Sequence, residues 1–404
     1  MYAHLKDTIK KIAKAQHAAL IDIRRHLHMH PELSFQEFNT AKFIAKTLRE
    51  QNIACQEGIA NTGLVALIKG KNPHKATVAL RADIDALPIH EANEVLYKSQ
   101  NDGVMHACGH DVHTASLIGV AKLLDGLKEE FEGTVKLIFQ PAEEKIPGGA
   151  IKMIQEGVLE HPKPASIMGQ HVDPRIPVGK VGFVKGTMLG SADELHITVK
   201  GKGGHAASPQ LAVDPILIAA HMIVALQQLV SRNCNPIVPS VLSLCHINAG
   251  TTTNVIPEAV QIAGTFRTVD EQWRGEAHQK MTDMACGIAK AMGGHCELVI
   301  NKGYPCLNND PALTQRTMEA ARVFLGAAQV VDSELCMGAE DFAYYAQQIP
   351  GCFYYLGVQG NTHGTTSHVH TPTFDIDEAA LELGPGLMAW LALQELGAQL
   401  LTTS

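Results

Sequence analysis

No run of lysines and arginines long enough to track a phosphate backbone occurs in this chain of 404 residues. Its formal net charge of -8 likewise argues against a general nucleic-acid partner. No apolar run reads as a membrane span. The most apolar stretch, 215–230, carries His221 and two glutamines and follows a helical period, so no membrane partner is expected. The N-terminal M-Y-A-H-L-K-D-T-I-K-K-I-A-K is an amphipathic helix pattern without an apolar core or a small-residue cleavage site, so no secretory signal is expected. Internal repeats and low-complexity tracts are missing as well. The nine cysteines are odd in number and scattered. That disfavours a disulfide framework and fits a reducing cytoplasm.

What is present is an ordinary globular composition, with 46% hydrophobic and 18% charged residues, on a chain long enough for two domains. A helix is predicted over 9–30, ended by Pro31. Ser34 and Glu37 have the spacing of a capping box for a second helix over 36–51. Strands are predicted at 63–69, 77–83, 134–139 and 165–170, with helices at 112–127 and 149–157 between them. This alternation indicates an α/β fold with a mostly parallel sheet covered by helices. The pattern changes near residue 184. Alternation at 195–200, a long helix over 214–231, strands at 240–247 and 260–269 and a helix over 271–292 make a compact α+β unit. The expected division is a catalytic domain at 1–186 and 299–404, with an inserted smaller α+β domain at 187–298.

Several segments combine thiol, imidazole and carboxylate groups at element ends, a chemistry suited to a borderline divalent ion. Cys108-Gly-His110 lies in a loop before a helix, beside His106, Asp111 and His113. Gln140-Pro-Ala-Glu143-Glu144 and His171 follow apolar strands, where α/β folds place ligands. A loop at 361–372 offers His363, His368 and His370, and spacing does not choose among them. Asp83 and Asp85 end another strand and could bind metal directly or orient a ligating imidazole. The doubled carboxylate Glu143-Glu144 permits one group to bind metal while the other moves protons. Glu340-Asp341 most simply cap a helix N-terminus.

These segments together resemble the M20 metallopeptidase family, in its amidohydrolase branch of aminoacylase-like enzymes, hippurate hydrolases and auxin-conjugate hydrolases. The motifs are H-x-H-P-E-L-S (28–34), R-A-D-I-D-A-L-P, M-H-A-C-G-H-D-x-H-T, Q-P-A-E-E, G-x-G-G-H-A-A-x-P (201–209), N-V-I-P (254–257), G-T-x-R (264–267), G-A-E-D-F (338–342) and H-T-P, in family order. The resemblance implies a catalytic domain with one or two divalent ions per subunit (Zn, Mn, Co or Ni). It also implies an inserted ferredoxin-like dimerisation or lid domain, hence a homodimer. Cys108, His110, Glu144, His171 and His370 match metal ligands, Glu143 the general base, and Asp85 an aspartate supporting a ligand. His205 matches a histidine that reaches a substrate site, in dimeric relatives the partner's. Asn254 and Arg267 match residues that hold the substrate's carboxylate. Peptidase relatives have histidine at position 83 and a bridging aspartate at position 108, so this chain departs from them at both.

The activity implied is hydrolysis of an N-acyl amino acid to a carboxylate and a free amino acid. A dipeptidase or carboxypeptidase of the same fold is the alternative. An inert binding relative is disfavoured, because a mere binder has no use for Glu143.

Overall fold

The computed structural model describes residues 2–360 and 367–402. His363 lies outside the described residues. The chain divides into two compact units. One comprises Met1–Gly186, Asn308–Glu334 and Asp341–Ser404, and the other Thr187–Leu307 and Leu335–Glu340.

The first unit is built on an eight-stranded sheet. Its order is Cys55–Ile59, Gly63–Lys69, Thr134–Gln140, Thr77–Asp83, Ser166–Pro177, Gly351–Gln359, Val181–Phe183 and Val330–Asp332. The central neighbours are parallel, and antiparallel pairs flank them. Thr77–Asp83 and Thr134–Gln140 are buried at every position, as parallel strands covered on both faces must be. Helices Lys6–Met29, His110–Gly126 and Ala380–Thr402 pack on one another, and the last two pack on Thr77–Asp83. Trp390 and Phe324 stack in this core. Each fully buried Leu or Ile there contributes roughly 1.5–3 kcal/mol.

Ser34 and Glu37 do not form the expected capping box. The helix begins at Phe38, and neither side chain caps it. Glu32 does so instead, accepting the Asn39 and Thr40 N–H groups at 2.8 and 2.9 Å. Ser34 donates its hydroxyl to Asp85 at 2.6 Å, and Glu37 turns inward. A tertiary acceptor outcompeted the local one.

The second unit is a four-stranded antiparallel sheet, in the order Ser240–Ala249, Ala259–Thr268, Asp193–Lys200, His295–Lys302. Helices Pro215–Leu226 and Glu271–Ala291 pack on it. The chain order β-α-β-β-α-β is ferredoxin-like. The strand His295–Lys302 was not expected, and it carries the unit through Leu307. A seam at 298/299 would cut this strand. The expected helix over 214–231 is shorter: Asp214 caps it, regular helix stops at Leu226, and a π turn covers Leu229–Asn233. By length and composition alone, Pro215–Asn233 is apolar enough to cross a membrane, a test that core helices also pass. Here its Ile218, Ala219, Met222 and Leu226 are buried in the core of this unit.

Candidate metal centre

The cluster begins with a backbone requirement. Gly109 lies at φ +79, and a Cβ there would come within 2.4 Å of Val172 Cγ2. Only glycine meets both conditions cheaply. The turn it makes is the N-cap of helix His110–Gly126 and brings Cys108 and His110 to one side of that helix's start. His110 Nδ1 lies 3.1 Å from an Asp85 oxygen. A carboxylate only accepts, so Nδ1 carries a proton and Nε2 faces the cluster. That buried Nε2 has no hydrogen-bond partner.

Strand Thr134–Gln140 delivers the two glutamates after Pro141. Glu144 Oε1 lies 3.1 Å from His370 Nε2 and 3.9 Å from His110 Nε2, and Glu143 Oε2 lies 4.0 Å from the same nitrogen. His171 sits within strand Ser166–Pro177 and does not end it. Its Nδ1 donates to the Val172 carbonyl at 2.8 Å, which turns Nε2 to the Cys108 sulfur at 3.4 Å. The His370 N–H donates to Ala107 O at 2.7 Å, so one backbone bond docks the C-terminal loop against the Cys108 loop. Of the loop's described histidines, His370 is the one that joins the cluster.

Asp83 is engaged from two directions. Arg81 donates to one of its oxygens at 2.6 Å, and His113 Nδ1 meets the other at 2.6 Å. His113 Nε2 accepts the Val172 N–H at 2.9 Å, so both its nitrogens are occupied and it braces rather than binds. Asp341 accepts from Arg81 and Gln140, and also from the Ala150 N–H at 3.0 Å. It therefore serves the N-terminus of helix Gly149–Gln155, which follows the glutamate pair.

The donor atoms fall into overlapping groups, each within 4.8 Å: Cys108, His110 and His171; Cys108, Glu144 and His370; His110, Glu143 and Glu144. The field over them favours a cation. Burial opposes protonation of His110, but Asp83, Asp85 and Glu144 outweigh it and push its pKa up to about 10. Burial, then Glu144, Glu143 and Asp83, hold the Cys108 thiol well above its ordinary value. A divalent ion held by Cys108, Glu144 and their neighbours would relieve both conditions, by offsetting the carboxylate charge and favouring the thiolate. The unpartnered His110 Nε2 and this S, N, O donor set fit such an ion.

His205, Asn254 and Arg267 belong to the second unit. His205 pairs in register with Val255, and its Nδ1 accepts the Ala207 N–H at 3.0 Å. The Ala206 N–H donates to Asn254 O at 3.1 Å, so the G-G-H-A and N-V-I-P motifs lie against each other. Arg267 donates to Met337 O at 2.9 Å. Reading the sequence missed Glu37, which is fully buried beneath the glutamate pair. Its place in a capping-box pattern hid it.

The chain is similar to known proteins along most of its length. The family model for Peptidase family M20/M25/M40 matches residues 79–394. The chain is 43% identical to N-acetylcysteine deacetylase of Bacillus subtilis, over 94% of this chain and 97% of that one. It is 38% identical to thermostable carboxypeptidase 2 of Saccharolobus solfataricus, over 96% and 98%. The solved Bacillus subtilis YXEP protein, described as a dinuclear metal-binding peptidase of the M20 family, superposes with a TM-score of 0.82 at 40% identity, over 95% of this chain and 99% of that one. The chain belongs to peptidase family M20/M25/M40, in its amidohydrolase branch, and is a hydrolase of amide bonds.

Proposed function

We propose that this hydrolase is metal-dependent and cleaves N-acyl amino acids to a carboxylate and a free amino acid. The observation that carries the reading is Glu143, placed beside a set of S, N and O donors with one imidazole nitrogen unpartnered. Cys108, His110, Glu144, His171 and His370 would hold one or two divalent ions. A divalent ion supplies Lewis acidity, polarising an amide carbonyl and lowering the pKa of water from about 15.7 towards about 7. Glu143 takes the proton from the attacking water and returns it to the leaving amine, typically worth about 10²–10⁴ in rate. Asp85 keeps the His110 tautomer fixed. His205 stabilises the tetrahedral oxyanion, a contribution of about 2.7–4 kcal/mol in comparable enzymes. Asn254 and Arg267 hold the substrate carboxylate, with the planar guanidinium suited to a two-pronged grip.

A homodimer through the second unit is part of this reading. Ser240–Ala249 is an edge strand, with Val241 and Ile247 exposed. Helix Pro215–Leu226 leaves Leu217 and Val224 exposed, Val224 by 74%. Apolar side chains beside an open strand edge suit strand-to-strand pairing of two copies. The odd number and scattered placement of the nine cysteines fit a reducing compartment such as the cytoplasm.

The relative named as a carboxypeptidase favours a second reading, cleavage of peptides from the carboxyl end. Product analysis decides between the two. Metal-reconstituted protein is given N-acetyl amino acids, benzoylglycine and dipeptides. Release of acetate or benzoate with the free amino acid, and neglect of dipeptides, supports the first. Preference for dipeptides overturns it.

A further inference from the structure

We propose that Glu37 is a positioning residue: with Asp85 it grips the backbone on both sides of Glu143 and so sets the direction of the Glu143 and Glu144 carboxylates. The proposal rests on the reading of Glu144 as a metal ligand and Glu143 as the base.

The geometry is a two-point clamp. Glu37 Oε1 accepts the Ala142 N–H at 2.8 Å, one residue before Glu143. Asp85 Oδ2 accepts the Glu144 N–H at 3.0 Å, one residue after it. Both acceptors are themselves held. The Phe35 N–H donates to Glu37 Oε1 at 2.9 Å and the Thr62 hydroxyl to Oε2 at 2.7 Å, while Ser34 donates to Asp85. The Ala142 carbonyl accepts the Gly149 N–H at 3.0 Å, so the peptide groups on both sides of the Ala142 Cα are held.

The clamp has something to hold. Ala142 sits at φ +52, in the left-handed region that costs a non-glycine residue roughly 1–2 kcal/mol. Strained backbone of this kind persists only where its surroundings over-determine it. An extended Ala142 would turn the following carboxylates elsewhere. Glu37 and Asp85 are both fully buried, and buried acids are costly unless their oxygens are hydrogen-bonded. The task of Asp85 is double, since it also holds His110 Nδ1. For Glu37 the structure shows contacts with the turn before Glu143, with Thr62, and with Phe35 of its own loop.

What the clamp needs from Glu37 is an acceptor, not a charge. A glutamine keeps an oxygen for the Ala142 N–H and offers its amide to Thr62. A methionine of similar length offers neither. The test therefore compares Glu37→Gln, Glu37→Met and Thr62→Val with the unaltered protein, all loaded with Co²⁺ as a spectroscopic probe. Visible absorption reports ligand geometry, titration reports metal affinity, and thermal unfolding is recorded separately. Glu37→Met should weaken Co²⁺ affinity about 10–100-fold, as loss of a ligand-supporting group does elsewhere, and should alter the absorption spectrum. Thr62→Val should move both in the same direction by less. Glu37→Gln should match the unaltered protein. Should Glu37→Met fail to fold, Thr62→Val decides alone. The proposal is overturned if folded Glu37→Met, or Thr62→Val in its place, has an unchanged spectrum and affinity, whatever its unfolding temperature. It is equally overturned if Glu37→Gln is as disturbed as Glu37→Met. Glu144→Ala serves as the control. If it binds Co²⁺ normally, the ligand assignment has failed rather than the clamp.

Discussion

The sulfur of Cys108 lies 3.4 Å from Nε2 of His171, although the two residues come from a loop and a strand 63 positions apart. Nothing in either element's own stability requires that approach. A soft sulfur and an imidazole lone pair held together beside a carboxylate suit a borderline divalent ion. Chelation should therefore abolish amide hydrolysis, and added Zn²⁺, Mn²⁺, Co²⁺ or Ni²⁺ should restore it. Turnover that persists in protein shown by elemental analysis to hold no metal would end the metal-dependent reading.

The two adjacent glutamates should separate on mutation. Glu143→Gln is expected to retain metal and lose about 10²–10⁴ in kcat. Glu144→Ala should lose metal as well as activity. The measurements are metal content per subunit and kcat at saturating metal. A Glu143→Gln protein with normal turnover would assign the proton transfer to another group.

Gly109→Ala places a methyl group into Val172 and a non-glycine residue at φ +79. The left-handed backbone costs about 1–2 kcal/mol and the overpacking about 1–3 kcal/mol. Denaturant unfolding should show a loss of a few kcal/mol, with weakened metal binding. Adding Val172→Ala should recover the steric part only. Full recovery would mean that the backbone conformation is not strained.

The second unit carries its own pH-sensitive ion cluster. Asp193 accepts from Arg274 at 2.5 and 2.9 Å, meets His278 Nε2 at 2.6 Å and accepts the Gly303 N–H at 3.1 Å. Burial works against its charge, but Arg274 and His278 prevail and hold its pKa at about 2. Because the folded pKa lies below the unfolded value of about 3.9, the charged form stabilises the fold above pH ~4, by about 2–3 kcal/mol. That contribution fades as pH falls towards 2. Asp193→Asn should be strongly destabilised at neutral pH, and its deficit against the unaltered protein should shrink between pH 4 and 2. A deficit constant across that range would contradict the assignment.

His205→Ala is expected to lower kcat without changing metal content. In the dimeric reading, mixing His205→Ala subunits with Glu143→Gln subunits should restore part of the activity, because one hybrid site then contains both groups. If exchanged dimers form and no activity returns, His205 does not act across subunits.

The long periodic stretches made the sheet, its covering helices and the inserted unit legible, because burial imposes a period on sequence. Strand His295–Lys302 also left a signal that was passed over, since Cys296, Leu298 and Ile300 alternate with outward residues. The thiol, imidazole and carboxylate groups were legible as chemistry, but spacing alone did not separate His370 from His368; the family resemblance did, and His370 lies 3.1 Å from Glu144. Glu37 and Asp341 both act further along the chain than local rules describe. Each stands where a local helix cap is expected, and each bonds a backbone N–H more than a hundred residues away, at Ala142 and Ala150. Short-range rules describe a chain's alternatives, and packing chooses among them.

The left-handed Ala142 also sets a trap for anyone improving this protein by heat selection. Glycine at that position would remove the backbone penalty of roughly 1–2 kcal/mol and lose only part of it to unfolded-chain entropy, so a thermal screen should favour Ala142→Gly. The same change would free the peptide that precedes Glu143 to sample extended conformations. Variants chosen for survival at high temperature should then include slower catalysts, and screening by turnover after heating would be needed to discard them.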